Sequence, residues 1–215
     1  MKSNGLIAKN IIIALVVCLF TMSLAGCSPS TARDAPFQIV FASLYMNETA
    51  ISDYAVTLSN DLPDLTINGN APMLTPVIAG EIKNDPEAGI IRDPMMGIAG
   101  MMKTSMLVAA GELDVVVASL DNAARDARGE MFLPLDEVFT ADELASLGDR
   151  LLSFDHIDTD GYETWLTGAK TPVCGIDITG NEEMRAIFGN QKIGVFIVAN
   201  TRNLELAKEV MLSLM

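Results

Sequence analysis

Apolar and polar positions alternate along the chain in blocks that read as strands and helices in turn. Gln38–Ala42 follows Pro36 as a short, nearly continuous apolar run, the pattern of a buried strand. Asn47 then stands where a helix N-cap belongs, and Ile51, Tyr54, Ala55 and Leu58 repeat at helical spacing, predicting a helix over 48–60 that Pro63 ends. Leu65–Ile67 reads as a second short strand closed by the Asn68-Gly69-Asn70 turn, and 71–92 is broken up by prolines and glycines. Asp93-Pro94 opens a helix to about Ala110, with Gly111 as its stop. The run 113–120, LDVVVASL, has the unbroken apolar character of a central strand covered on both faces.

Further along, Asn122–Arg128 reads as a short helix and 131–138 as an extended segment. Thr140 and Glu143 form a capping-box pattern for a helix ending at Gly148. A short helix is expected near Tyr162–Leu166, a strand at Val173–Ile178, a helix at Asn181–Phe188, a strand at Lys192–Ala199 and a last amphipathic helix over 203–215. Alternation of this kind predicts an α/β domain with a mostly parallel sheet and helices on both faces.

The first residues follow a different logic. Residues 1–10 carry Lys2 and Lys9 and no acid, and 11–25, IIIALVVCLFTMSLA, are almost wholly apolar. A basic start, an apolar stretch of this length and the tetrapeptide Leu24-Ala25-Gly26-Cys27 resemble a bacterial lipoprotein signal, in which Cys27 receives a diacylglycerol and the peptide before it is removed. The alternative is an uncleaved membrane span, for which the apolar run is shorter than the ~20 residues required. The expected organisation is therefore a signal peptide over 1–26, a lipidated Cys27 with a flexible tether over 27–36, and one globular domain over 37–215. That places the protein at the cell membrane, lipid-anchored on its extracytoplasmic face. Cys174 is then a lone thiol, and no disulfide framework is available.

The chain has 215 residues with 28 acidic against 14 basic side chains, a formal charge of −14. Removal of the leader takes away two lysines and no acid, so the remainder is more acidic still. Such a balance disfavours nucleic acid as a partner and gives no basic patch to assist membrane adhesion.

Two stretches resemble the extracytoplasmic solute-binding proteins of ABC importers, especially the sugar-binding family. In 109–139, the helix end Ala110-Gly111, the strand Asp114–Val117, the short helix Asn122–Arg128 and the segment Gly129–Asp136 follow that family's first-lobe order. In 192–214, Asn200, Asn203, Glu205 and Ala207 resemble the strand and helix by which such chains return to that lobe. The resemblance implies a type II periplasmic-binding-protein-like lobe, a small polar, sugar-like ligand and an importer permease as partner. Only about 50 residues, 140–190, separate the two matches, whereas a second α/β lobe needs roughly 100. The second lobe is thus expected to be absent or vestigial. The alternative function is an interaction or dimerisation module derived from one lobe, in which a homodimer would supply the missing wall.

Ligands of open α/β sheets bind beyond the carboxyl ends of the strands. That rule selects Ser43, Leu44 and Tyr45 after the first strand, Asn68 and Asn70 after the second, and Ser119, Asp121 and Asn122 after the third. Asp177 and Asn200 are added at later strand ends. Each of these also suits a helix cap or turn, and the sequence leaves both roles open. Trp165, three residues after Tyr162, offers a stacking face for a sugar ring or an anchor for a short helix. No metal or cofactor is expected: Met95, Met96, Met101, Met102 and Met106 lack an accompanying His or Cys for copper. The run from His156 has His and Thr where a calcium loop needs Asp and Glu. No nucleophile-elbow, zincin or P-loop motif is present, so the protein is not expected to be an enzyme.

Replacing the thiol that would accept the lipid gives a direct test. Cys27→Ala should abolish incorporation of a fatty-acid analogue and leave an uncleaved or shed precursor, while the globular part folds unchanged. Lipid labelling that survives the substitution would remove the lipoprotein assignment.

Overall fold

The computed structural model describes residues 35–80, 94–160 and 163–215. The leader, Cys27 and most of the tether lie outside these residues, as do Asp93 and Tyr162. Among the described residues, no helix is long and apolar enough to cross a membrane.

The chain enters through β1 (Gln38–Ser43), buried along its whole length. Helix α1 (Glu48–Asp61) begins at Asn47, whose side chain accepts the N–H groups of Thr49 and Ala50 at 3.1 and 3.2 Å. Its buried residues are Ile51, Tyr54 and Leu58, the expected stripe. A 3-10 turn at Pro63–Leu65 and a tight reversal bridging Ile67 and Asn70 follow. The expected strand at Leu65–Ile67 does not form. Instead β2 is Met73–Ile78, inside the stretch whose prolines read as breakers. It pairs parallel to β1 at the sheet's edge, the position where a strand tolerates Pro76.

Helix α2 (Pro94–Ala110) packs on β2, and Gly111, at φ +66°, turns the chain into β3 (Val115–Ser119). Helix α3 (Leu120–Arg128) starts directly at the end of β3. The segment 131–138 makes a single bridge from Phe132 to Val198 and a 3-10 turn rather than a strand. Helix α4 (Ala141–Leu147) carries the anticipated Thr140–Glu143 capping box. The very short β4 (Leu151–Leu152) leads to a hairpin, β5 (Asp155–Asp160) and β6 (Glu163–Lys170), which forms its own two-stranded sheet. This hairpin replaces the helix expected at Tyr162–Leu166. Threonine, Trp165 and Ile157 favour pleated pairing, and two aromatics three apart are too little to nucleate a helix. It also places His156 and Asp158 on an extended strand and not in an ion-wrapping loop.

The chain returns through β7 (Gly175–Asp177), α5 (Glu182–Phe188), β8 (Ile193–Ile197) and α6 (Leu204–Ser213). The main sheet has the order β2-β1-β3-β8-β7-β4. It is parallel across β2, β1 and β3, and antiparallel from β3 through β8 and β7 to β4. The expected parallel character thus holds in one half of a mixed sheet. The 140–190 stretch contributes β4 and β7 to that same sheet.

Strand alternation sorts the core into two layers. Ile39, Phe41, Val115 and Val117 meet α1, α5 and α6 through Tyr54, Phe188 and Val210. Val40, Ala42, Val116 and Ala118 face α2, with Met101, Leu107 and Val108, and α3, with Ala123 and Ala127. The second layer is thin because small residues let backbones approach. A Cβ on Gly100 of α2 would lie 1.9 Å from the carbonyl oxygen of Ile78.

One buried carboxylate joins the parts. Asp114, just before β3, accepts the Gln38 N–H at 2.9 Å, the Thr201 hydroxyl at 2.7 Å and the Asn203 amide at 3.0 Å. It links the start of β1, the start of β3 and the turn from β8 into α6. Asp114→Ala would strand these donors, and should cost about 3 kcal/mol, read as a lower urea midpoint with an unchanged slope.

Candidate functional site

Parallel pairing brings the carboxyl ends of β1, β2 and β3 to one end of the sheet. Because β8 runs the other way, its beginning comes there too, with Ile193 opposite Ser119. A cleft of about 800 Å³ opens at this end. Leu44, Tyr45 and Gly80 form one side, and Ser119, Leu120, Asp121 and Asn122 the other. Arg125 on α3, with Gln191 and Lys192 ahead of β8, completes it.

Five of the sequence-selected residues, Leu44, Tyr45, Ser119, Asp121 and Asn122, therefore meet in one place. Their roles differ. Asn122 is buried and donates its amide to the Ala79 carbonyl at 2.9 Å and the Ser119 hydroxyl at 3.1 Å, tying α3 to the end of β2. It builds the floor, and Gly80, at φ +122°, passes over it where a Cβ would come within 3.0 Å of its Oδ1. Asp121 and Tyr45 are exposed at the mouth.

Ser43 lies below the cleft and is fully buried. Its hydroxyl donates to Gln191 Oε1 at 2.5 Å and accepts the Tyr45 N–H at 3.4 Å. Gln191 Nε2 in turn donates to the carbonyls of Tyr45 at 2.8 Å and Phe188 at 2.7 Å. This glutamine clamps the loop after β1 to the turn before β8 and fixes the backbone that presents Tyr45.

The remaining selections lie elsewhere. Asn68 and Asn70 precede the true β2, so they sit at the opposite end of the sheet. Asp177 ends β7 on the cleft side but two strands from β3, roughly 10 Å away by strand spacing. Its carboxylate accepts the Thr179 N–H at 2.8 Å. Asn200 follows β8 and so lies at the far end, its amide on the Val108 carbonyl at 2.6 Å. Trp165 stands half-exposed on β6 across from Asp158, on a hairpin that leaves the sheet from the end away from the cleft.

Arg125, Gln191 and Lys192 were not selected from sequence. The last two precede a strand, and their place at the cleft depends on the reversed direction of β8, which no local pattern encodes. Arg125 was readable only as a basic residue within a short helix. Its Nε and Nη2 donate to Asp126 Oδ1 at 2.9 and 2.7 Å, and its Nη1 meets the Met101 thioether. No family model, characterised protein or solved structure matches this chain.

Chemically, the cleft combines the apolar side chains of Leu44 and Leu120 with a phenol, hydroxyl and amide groups, two cations and one exposed carboxylate. Such a set can hold and orient a polar solute. Among the described lining residues none is His or Cys. His156 is on the hairpin, and Cys174 is buried by the core, which pushes its thiol up to about 11.

Behind the lining, Asp126 is buried, and its carboxyl is raised above the usual range by desolvation, with Arg125 opposing. Between the ordinary carboxylate range and that raised value the folded chain holds a proton that the unfolded chain has lost. Stability should therefore fall as pH rises through this window. Urea midpoints measured against pH should show this slope, and Asp126→Asn should remove it; an identical slope in the variant would count against the assignment.

Proposed function

We propose that the protein is a membrane-anchored, extracytoplasmic solute-binding-like lipoprotein. Its cleft takes a small polar solute, and its partner is an importer permease. The observation that carries this reading is the convergence of Tyr45, Ser119, Asp121 and Asn122 on one 800 Å³ cleft at the carboxyl ends of three parallel strands. The leader ending in Leu24–Cys27 supports the placement, and the strand β8 that returns beside β3 is consistent with the resemblance in 192–214. Arg125 and Lys192 widen the solute class from sugars to polar molecules that carry a charge.

Both sides of the cleft come from one lobe, since among the described residues the 140–190 stretch adds β4 and β7 to the same sheet and a hairpin at the end away from the cleft. That observation favours a second reading in which the strand-end face docks a second copy or another protein. Light scattering separates the two: a monomer at high micromolar concentration counts against self-docking.

Ligand binding is read by thermal shift across sugars, amino acids, peptides and metal ions. A true ligand at one hundred times its Kd adds about 2.7 kcal/mol, which raises the midpoint by roughly 5–10 °C in a chain of this size. Tyr45→Ala combined with Lys192→Ala should remove the shift and leave the unliganded midpoint near its original value. Silence across all four classes would sink the receptor reading.

A further inference from the structure

Helix α2 turns several large apolar side chains outward. Its buried residues are Gly97, Gly100 and Thr104, with Met101, Leu107 and Val108 partly buried beside them. Its outward face carries Met95, Met102 and Met106, which expose 62%, 60% and 69% of their surface, with Ile98 and Met96 at its flanks. Successive positions at 100° per residue put Met95, Ala99, Met102, Met106 and Ala109 along one line. A surface helix ordinarily turns polar residues outward, so this face is shaped for apolar contact.

Charge sharpens the point. Each of the other five helices among the described residues carries at least two acidic residues, whereas the 17 residues of α2 carry none and include Lys103 at the edge of the face. In a chain with twice as many acids as bases, one long surface element is free of carboxylates. The groove along it, between Met102 and Met106, reaches an acid only at Glu112, beyond the helix end.

We propose that this face of α2 lies on the bilayer to which the chain is anchored, its thioethers among the upper acyl chains and Lys103 reaching back to the headgroups. The inference rests on the anchoring reading above. Seven residues lie between Cys27 and Ala35, eight steps with a reach of at most about 26–29 Å, so an anchored Cys27 keeps the start of the described residues within that distance of the bilayer. Interfacial helices sink their apolar side by about 5–10 Å, a depth these side chains can fill. A second copy is a poorer occupant, because each copy carries a formal charge of −14 and like charges oppose their approach. The acidic remainder of the chain makes a zwitterionic bilayer the appropriate surface.

The test uses the full chain, recovered from membranes and reconstituted in phosphatidylcholine vesicles. Met102→Cys on α2 and, as a control, Val56→Cys on the exposed side of α1 each carry a polarity-sensitive thiol label, while Cys174 is buried. The label at 102 should shift to the blue, lose intensity to doxyl-lipids and resist aqueous iodide. The label at 56 should show the reverse. Adding Met95→Glu and Met106→Glu should remove lipid quenching at 102 without releasing the chain from the membrane. Iodide quenching at 102 equal to that at 56 overturns the proposal. So does shielding from iodide without quenching by doxyl-lipid, which would mean that protein covers the face. Failure of the chain to enter membranes refutes the anchoring reading instead. The same labelled protein added to phosphatidylcholine vesicles then decides: lipid quenching at 102 keeps the docking face, and its absence removes it.

Discussion

The antiparallel ladder between β3 and β8 is the constraint on which the architecture depends. Five pairs, from Val115 with Ile197 to Ser119 with Ile193, join the half of the sheet made before residue 120 to the half made after 150. At one end of this ladder Asp114 collects donors from β1 and from the turn into α6. At the other end the ladder delivers Gln191 and Lys192 to the cleft. A parallel β8 would exchange those ends, placing Asn200 at the cleft and Gln191 away from it.

The two faces of this sheet are covered by different means. On one side, aromatic and branched residues fill a thick layer, with Phe41 stacked on Phe188 and edge-on to Tyr54 at ring separations of 6.0 and 6.2 Å. On the other, Gly100 of α2 and Ala123 and Ala127 of α3 let those helices come close to the strands. Close approach at Gly100 leaves no room for a large side chain at that point, so Met101, Leu107 and Val108 pack beside it while Met95, Met102 and Met106 face outward. The apolar outward face is thus a consequence of how the thin layer is packed, and the bilayer proposal gives that consequence a use.

Buried carboxylates serve two different ends here. Asp114 accepts three hydrogen bonds, one from β1 and two from the turn into α6, and holds the fold together. Asp126 meets one guanidinium, and its burial leaves it with a raised proton affinity. Arg125 is shared between that carboxylate, a methionine of α2 and the cleft, so the thin layer and the cleft are mechanically connected. Gln191 does similar work on the opposite side, where its three hydrogen bonds set the backbone of Tyr45.

Local chemistry was enough to read most elements. Asn47, Thr140 with Glu143, and Gly111 act on their own neighbours within a turn, so their effects were legible as sequence. The apolar runs of β1, β3 and β8 were equally plain, because strands buried on both faces need no partner to identify them. Tertiary structure decided whatever depended on a neighbour distant in sequence. β2 exists because β1 had a free edge that accepts Pro76, and the hairpin exists because β5 and β6 satisfy each other. Strand direction decided the cleft: Tyr45, Ser119, Asp121 and Asn122 follow strands whose sense a parallel reading gets right, while Gln191, Lys192 and Asn200 flank the one beside β3 that is reversed. Direction leaves no mark on a strand's own residues, since a buried run is equally apolar read either way. It is set by which edge the returning chain can reach, and that is known only once the rest of the sheet is in place.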